Sequence, residues 1–290
     1  MKIAIGTAQF GLEYGISNLS GIVSEKEIGN ILSLCLSEGV DTIDTAMLYG
    51  CSETRIGEHN LNNNFKVVTK IPTIPSMDFG ISTWLKGEVF ASSKRLNSKP
   101  LYALLLHRPE QLLDPSGKDI YKALRQLQDD EIVVKIGISA YDPSLIDLIA
   151  SKFKIDIVQA PFNVFDTRMS DSGCFSRLKN AGVEVHARSI FLQGLLLLGA
   201  DEIPPQFMRW SPIFHTWHKW LEETNVTALS ACVSFALKPL EIDKIVVGVE
   251  SARQLREIID GIAANSNYSF PNFSIFCDEL INPSSWNVMA

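Results

Sequence analysis

The stretch IDTAMLYG, Ile43 to Gly50, carries a strand-like apolar run into Asp44, passes small residues, and reaches Tyr49 just before a glycine. A carboxylate and a phenol five residues apart, where a strand gives way to a turn, raise the question of what that strand end faces. Seven further short, β-branched runs resemble the one that begins at Val40. They are KIAIGTA from Lys2, FKVVTK from Phe65, LYALLLH from Leu101, VVKIGIS from Val133, IDIVQA from Ile155, VEVHARS from Val183 and DKIVVG from Asp243. Each has the length and composition of a buried strand.

Amphipathic stretches lie between the runs. In VSEKEIGNILSLCLSEG, Ser24 is followed three residues on by Glu27, the signature of a capping box, with Ile28, Ile31, Leu32 and Cys35 on one face and Gly39 as the stop. KDIYKALRQLQDDE from Lys118 repeats the spacing with Ile120, Leu124 and Leu127, and DPSLIDLIASKF and ESARQLREIIDGIA follow suit. Continuous apolar strands, each followed by a helix, predict a parallel sheet covered by helices. Eight such units predict an α/β fold of the (β/α)8 TIM-barrel type, one domain over residues 1–290, with a doubly wound open sheet as the competing reading. In a barrel the strand ends share one mouth, so Asp44, Lys70, His107, Ser139, Gln159 and Arg188 would line a common cup. NLNNNF near Asn62 and NSNYSFPNFS near Asn265 read as surface loops.

Composition narrows the function. The 290 residues are 46% hydrophobic and carry a net charge of -7, with the basic residues scattered rather than striped, so a nucleic-acid footprint is missing. Five cysteines, Cys35, Cys51, Cys174, Cys232 and Cys277, form no C-x-x-C pair, which fits a reducing compartment. The opening MKIAIGTAQFG has no signal core, so no secretory leader is expected, and the longest apolar run, IFLQGLLLLGA, falls short of the ~20 residues that span a bilayer. The expectation is a cytoplasmic protein with no membrane and no nucleic-acid partner; the oligomeric state is left open.

Asp44, Tyr49, Lys70 and His107 around one cup suggest acid-base chemistry. A phenol is a poor acid, with an ordinary pKa of about 10, but a neighbouring ammonium eases its ionisation. Lys70 would supply that charge, Asp44 would orient Lys70, and His107 would hydrogen-bond a carbonyl oxygen. Such a site protonates a developing alkoxide. An alkoxide forms when hydride reaches a carbonyl, and because no side chain donates hydride, a nicotinamide is required.

GTAQFG, IDTAMLYG with SETRIG, VVTK, LLLHRP, KIGIS, VQAPFN and VVGVESARQLRE occur in the order and spacing of the aldo-keto reductases, which the chain resembles from Gly6 to about Glu257. The resemblance implies a barrel binding NADP(H) and a small-molecule carbonyl substrate, with Tyr49 as acid/base, Lys70 and Asp44 tuning it and His107 orienting the carbonyl. It implies cofactor contacts at Gly6, Thr7, Ala8, Asp44, Ser139, Gln159, Arg188, Ser189, Phe191, Gly248, Glu250, Ser251, Gln254 and Glu257. GTAQFGLEYGISN, SIFLQGLLL and INPSSW further resemble the reductases found among bacterial surface-polysaccharide genes, which implies a sugar or nucleotide-sugar substrate. Three positions depart from the family pattern: Ala140 replaces an amide-bearing Asn, Arg188 an aromatic and Ile258 an Asn. Glu250 stands where a group reading the 2′-phosphate is common, with only Arg253 near in sequence to compensate, so NAD(H) is the alternative cofactor. The chain enters its first strand directly, so the N-terminal hairpin of many relatives is not expected.

Plainer readings stand beside these. Asp44 and Lys70 taken alone would be a buried ion pair, and His107 a satisfied strand-end histidine. His215 and His218 lack the Glu of H-E-x-x-H and sit beside Trp217 and Trp220, so they read as helix surface and core, and no metal is expected. His59 and His186 carry no signal, while Trp286 could fold over the mouth. Two other functions compete with carbonyl reduction: a nicotinamide-sensing binding module with vestigial chemistry, and a non-redox barrel lyase or epimerase.

Overall fold

The computed structural model describes residues 1–18, 20–59, 63–76, 80–263 and 268–288. Residues 60–62 and 265–267 of the two expected surface loops lie outside the described residues. Eight strands form: β1 Ile3–Gly6, β2 Thr42–Asp44, β3 Lys66–Ile71, β4 Leu101–Leu106, β5 Val133–Ser139, β6 Ile157–Pro161, β7 Glu184–Arg188 and β8 Lys244–Gly248. They pair in parallel in chain order, and β8 returns to β1, with Ile3 opposite Ile245 and Gly6 opposite Gly248. This closure replaces the competing open sheet with a (β/α)8 barrel.

The strands read as unbroken apolar runs because both of their faces are covered. Val68, Ala103, Leu105 and Ile157 pack together as a buried cluster of β3, β4 and β6 residues. Gly137 on β5 approaches β6 so closely that an added Cβ would meet the Ile157 carbonyl oxygen at 1.9 Å. Outside, the helix Glu25–Ser37 buries Ile28, Ile31, Leu32 and Cys35 as expected, and Gly39 follows it with φ +71°. Its capping box is only half formed. Ser24 Oγ accepts from the Glu27 N–H at 3.3 Å, but the Glu27 carboxylate turns away to Asn30 and to the backbone of Ala252. The helix Gly117–Asp129 buries Ile120, Ala123, Leu124 and Leu127; in Pro143–Lys152, the Asp142 carboxylate accepts from the Ser144 N–H at 2.9 Å.

Between β7 and β8 the simple alternation lapses. Short 3-10 turns over Leu192–Trp210 precede two helices, Ser211–Thr224 and Ala228–Leu237. Together with the C-terminal stretch they enclose a second apolar cluster around Phe207, Phe214, Trp217, Trp220, Phe273 and Leu280. His218 Nε2 lies 3.0 Å from the Leu198 carbonyl oxygen, and Trp217 Nε1 donates to the Leu196 carbonyl at 3.2 Å. Trp286 does not fold over the mouth: it is buried in this cluster, edge-on to Phe207 at 4.8 Å.

At the strand starts, opposite the cup, charges form a partial ring. Asp41 accepts from Lys66 and Lys244, while Glu184 accepts from Lys135 and from the Tyr102 hydroxyl and contacts the buried His186 at 2.6 Å. Sequence reading had assigned His186 nothing. Among the described residues no helix is long and apolar enough to cross a membrane.

Candidate active site

The strand ends open into a cavity of about 1010 Å³. The β2 end is built first by hydroxyls. Thr7 donates to the Asp44 carbonyl at 3.0 Å, and the Ser52 hydroxyl contacts the Thr7 carbonyl and hydroxyl at 2.9 Å each and Thr45 at 3.1 Å. This buried knot ties β1 to β2 beneath the turn that carries Tyr49. The turn itself depends on glycine twice. Gly50 has φ +56°, and a Cβ there would meet the Gly11 carbonyl oxygen at 2.3 Å, while one on Gly11 would meet the Tyr49 carbonyl oxygen at 1.9 Å.

Four residues from different parts of the chain converge here. Lys70 Nζ donates to Asp44 Oδ2 at 2.6 Å and to the Thr45 carbonyl at 2.9 Å, both partners being buried. The same ammonium lies 5.3 Å from the Tyr49 ring centroid, and the Tyr49 and His107 rings stand edge-on at 6.2 Å and 77°. The expected quartet is thus one cluster.

Its electrostatics differ from the sequence expectation in one respect. The Tyr49 phenol is held above its ordinary pKa, first by burial and then by the Asp44 charge, rather than lowered by Lys70. Burial also pushes Lys70 down, against the pull of Asp44. Two of the three ammonium donors are taken by Asp44 and Thr45, and burial with the Asp44 charge keeps the proton on the phenol. His107 is lowered to about 4 by burial and by the charges of Lys70 and Arg188, which leaves a neutral imidazole at ordinary pH.

Gly6, Thr7, Ala8, Ser139, Gln159, Arg188, Ser189, Phe191, Gly248, Glu250, Gln254 and Glu257, expected as cofactor contacts, all line the cup. Ser251 does not: its hydroxyl instead accepts from the Gln254 N–H at 3.2 Å, at the head of the helix Ala252–Ala263. Arg188 lies over Tyr141, its guanidinium carbon 4.0 Å from the ring centroid. Gln9, Tyr14, Tyr141 and Gln193 also line the cup and were not singled out from sequence. Gln9 and Tyr14 lie in GTAQFGLEYGISN and Gln193 in SIFLQGLLL, whereas nothing local marks Tyr141.

Glu53, just behind Tyr49 in SETRIG, was missed as well. It is buried, accepting from Thr69 at 2.8 Å, Ser92 at 2.6 Å and Arg95 at 2.8 Å, and so fixes the helix Ser52–His59 against β3 and the helix Ile81–Leu96.

The cup suits a nicotinamide group. His107 keeps a buried Nδ1 with no hydrogen-bond partner, and Ser139 Oγ reaches Gln159 Oε1 only at 3.5 Å, so polar groups at the floor retain bonding capacity. Gln159 Nε2 donates to Asp44 Oδ1 at 2.6 Å, which links this floor to the Lys70 pair. Among the described residues no cluster of three His, Cys, Asp or Glu side chains could hold a metal ion.

Comparison with known proteins gives a consistent result. A family model described as the aldo/keto reductase family matches residues 2–269. D-arabinose 1-dehydrogenase of Saccharomyces cerevisiae (strain ATCC 204508 / S288c) is 23% identical over 266 residues, covering 82% of this chain and 78% of the yeast protein. Among solved structures, an aldo-keto reductase from Bacillus halodurans in its holo form superposes with a TM-score of 0.70 at 18% identity, covering 100% of this chain and 92% of that one. Its apo form gives a TM-score of 0.64 at 18% identity, with 92% and 87% covered.

Proposed function

Because the chain belongs to the aldo/keto reductase family, we propose that it is an NAD(P)H-dependent carbonyl reductase, with Tyr49 as proton donor and a sugar or nucleotide-sugar derivative as substrate. One observation carries the reading: a buried Lys70–Asp44 pair beneath Tyr49, with His107 edge-on to the phenol. Two resemblances support the sugar, namely the yeast relative named for D-arabinose and the motifs shared with polysaccharide-gene reductases.

A bound reduced nicotinamide supplies the hydride that no side chain can give. Gln159 and Ser139, on the floor beside Asp44, are the groups placed to hold its carboxamide. Neutral His107 orients the carbonyl oxygen toward Tyr49. The phenol then passes its proton to the oxygen as that oxygen becomes an alkoxide. A raised phenol pKa does not prevent the step, because an alkoxide approaches hydroxide in basicity, with water at about 15.7 as the reference. It has a benefit: Tyr49 stays protonated throughout the working range. The phenolate left behind faces Lys70, whose charge Asp44 supports against the opposing effect of burial.

Tyr49→Phe tests the assignment. Single-turnover hydride transfer, followed by nicotinamide fluorescence against a panel of aldoses and ketones, is expected to slow by about 10²–10⁴-fold, with nucleotide binding retained. A variant that turns over at nearly the parent rate would reject Tyr49 as the donor.

A further inference from the structure

The β8 side of the cup is acidic. Beyond the end of β8 it is lined by Glu250, Gln254, Glu257 and Ile258, whereas the basic lining residues among those described are Lys70, Arg108 and Arg188, on or next to β3, β4 and β7. Arg253 points outward with its side chain 86% exposed, 3.7 Å from Glu257, and Arg256 pairs with Glu38 at 2.8 Å.

The helix Ala252–Ala263 starts here, and a helix N-terminus ordinarily offers free N–H groups to a phosphate. In this chain two of those donors, the Ala252 and Gln254 N–H groups, are already engaged. The Ala252 N–H donates to Glu27 Oε1 at 2.7 Å, from a helix 225 positions earlier, so the carboxylate missing from its own capping box sits where an anion would bind. The Glu250 N–H donates to Gln254 Oε1 at 2.7 Å, and the Gln254 N–H to Ser251 Oγ at 3.2 Å. The Ala252 bond holds the Glu27 carboxyl below its usual range, so it stays charged. Glu250 is pushed the other way by burial, against a hydrogen bond from Ser20.

Building on the nicotinamide reading above, we propose that this end of the cup accepts an adenosine ribose with a free 2′-hydroxyl and rejects a 2′-phosphate, making the enzyme specific for NAD(H) over NADP(H). A ribose hydroxyl donates a hydrogen bond to a carboxylate, the device by which an acidic residue selects NAD in other dinucleotide sites. A phosphate monoester carries a charge of about -1.5 to -2 near pH 7; here it would face the Glu250 carboxylate, and among the described residues no Lys or Arg lines this end of the cup, while Glu27 already holds the Ala252 N–H.

Equilibrium titrations with NADH, NADPH, AMP and adenosine 2′,5′-bisphosphate test this, read by fluorescence quenching for the dinucleotides and calorimetry for the fragments. NADH is expected to bind at least tenfold more tightly than NADPH, with AMP ahead of the bisphosphate. The double variant Glu27→Ala, Glu250→Arg frees one N–H and adds a cation, and is expected to tighten NADPH binding tenfold or more; Glu250→Gln gives a smaller gain in the same direction. NADPH binding as tight as NADH, or tighter, in the parent protein overturns the specificity and leaves the reductase reading intact. Binding of neither dinucleotide overturns both.

Discussion

His107 sits where its own burial and two cations, Lys70 and Arg188, all oppose a further positive charge. An ordinary histidine gains its proton near 6.5, whereas this one waits until about 4. A neutral imidazole is what carbonyl orientation requires. The profile of kcat/KM for reduction is therefore expected to stay level down to about pH 5, with its acid limb near 4, and the alkaline limb, set by Tyr49, should lie above the ordinary phenol value of about 10. His107→Asn, which cannot titrate, should lack the acid limb at a lower plateau. An acid limb centred at 6.5 in the parent and absent from the variant would show that burial and the two cations do not hold His107 below its ordinary value. At this scale the sequence was most legible where chemistry demands an ionisable group at a strand end, as at Asp44, Lys70 and His107. It was silent on Glu53 and on the Glu27 contact with Ala252. Both look like ordinary charges on amphipathic helices, and the partners that bury or redirect them lie 16 to 225 residues away.

The turn after β2 shows how an element positions a reacting atom without touching substrate. Gly11 and Gly50 let two backbones approach where any Cβ would collide, and the Thr7, Thr45 and Ser52 hydroxyls lock the strands below them. Gly50→Ala forces the turn apart, because its Cβ would meet a carbonyl oxygen at 2.3 Å in a left-handed conformation. A displacement of about 1 Å at Tyr49 is enough to lower kcat about 10²-fold. Gly39→Ala is the matched control. It is also left-handed, at φ +71°, but a Cβ there meets nothing within 4 Å, so it should lose about 1–2 kcal/mol of stability with kcat unchanged. Equal kcat losses in the two variants, measured beside urea melts, would mean that Gly50 matters only for stability. All eight strands were readable because burial on both faces makes each a continuous apolar run. The loop between β7 and β8 was not. Its short turns bury their apolar residues against Trp217, Trp220 and Phe273, a cluster with no single period to detect.

A barrel divides its labour between its two ends, the strand ends serving chemistry and the strand starts stability. Here the starts carry Asp41 between Lys66 and Lys244, and Glu184 among Lys135, Tyr102 and His186. Both carboxyls are held well below their ordinary values, by hydrogen bonds from Lys244 and Lys66 on Asp41 and from His186 and Lys135 on Glu184, which outweigh the opposing cost of burial. A depressed carboxyl pKa means that the unfolded chain binds the proton more readily. Its stabilisation is therefore complete above the unfolded value of about 4 and is lost as pH falls toward the folded one. The urea midpoint of the parent protein should accordingly hold from pH 7 to 5 and fall steeply below pH 4. Glu184→Gln removes a side chain that is only 13% exposed and accepts charged hydrogen bonds, so it should cost about 1.5–3 kcal/mol at pH 7. The same change abolishes its share of the acid response, so the difference between parent and variant should shrink as pH drops from 5 to 3, with the urea m-value constant. A gap that stays the same across that range would place the origin of acid sensitivity elsewhere in the barrel and reduce Glu184 to a packing residue.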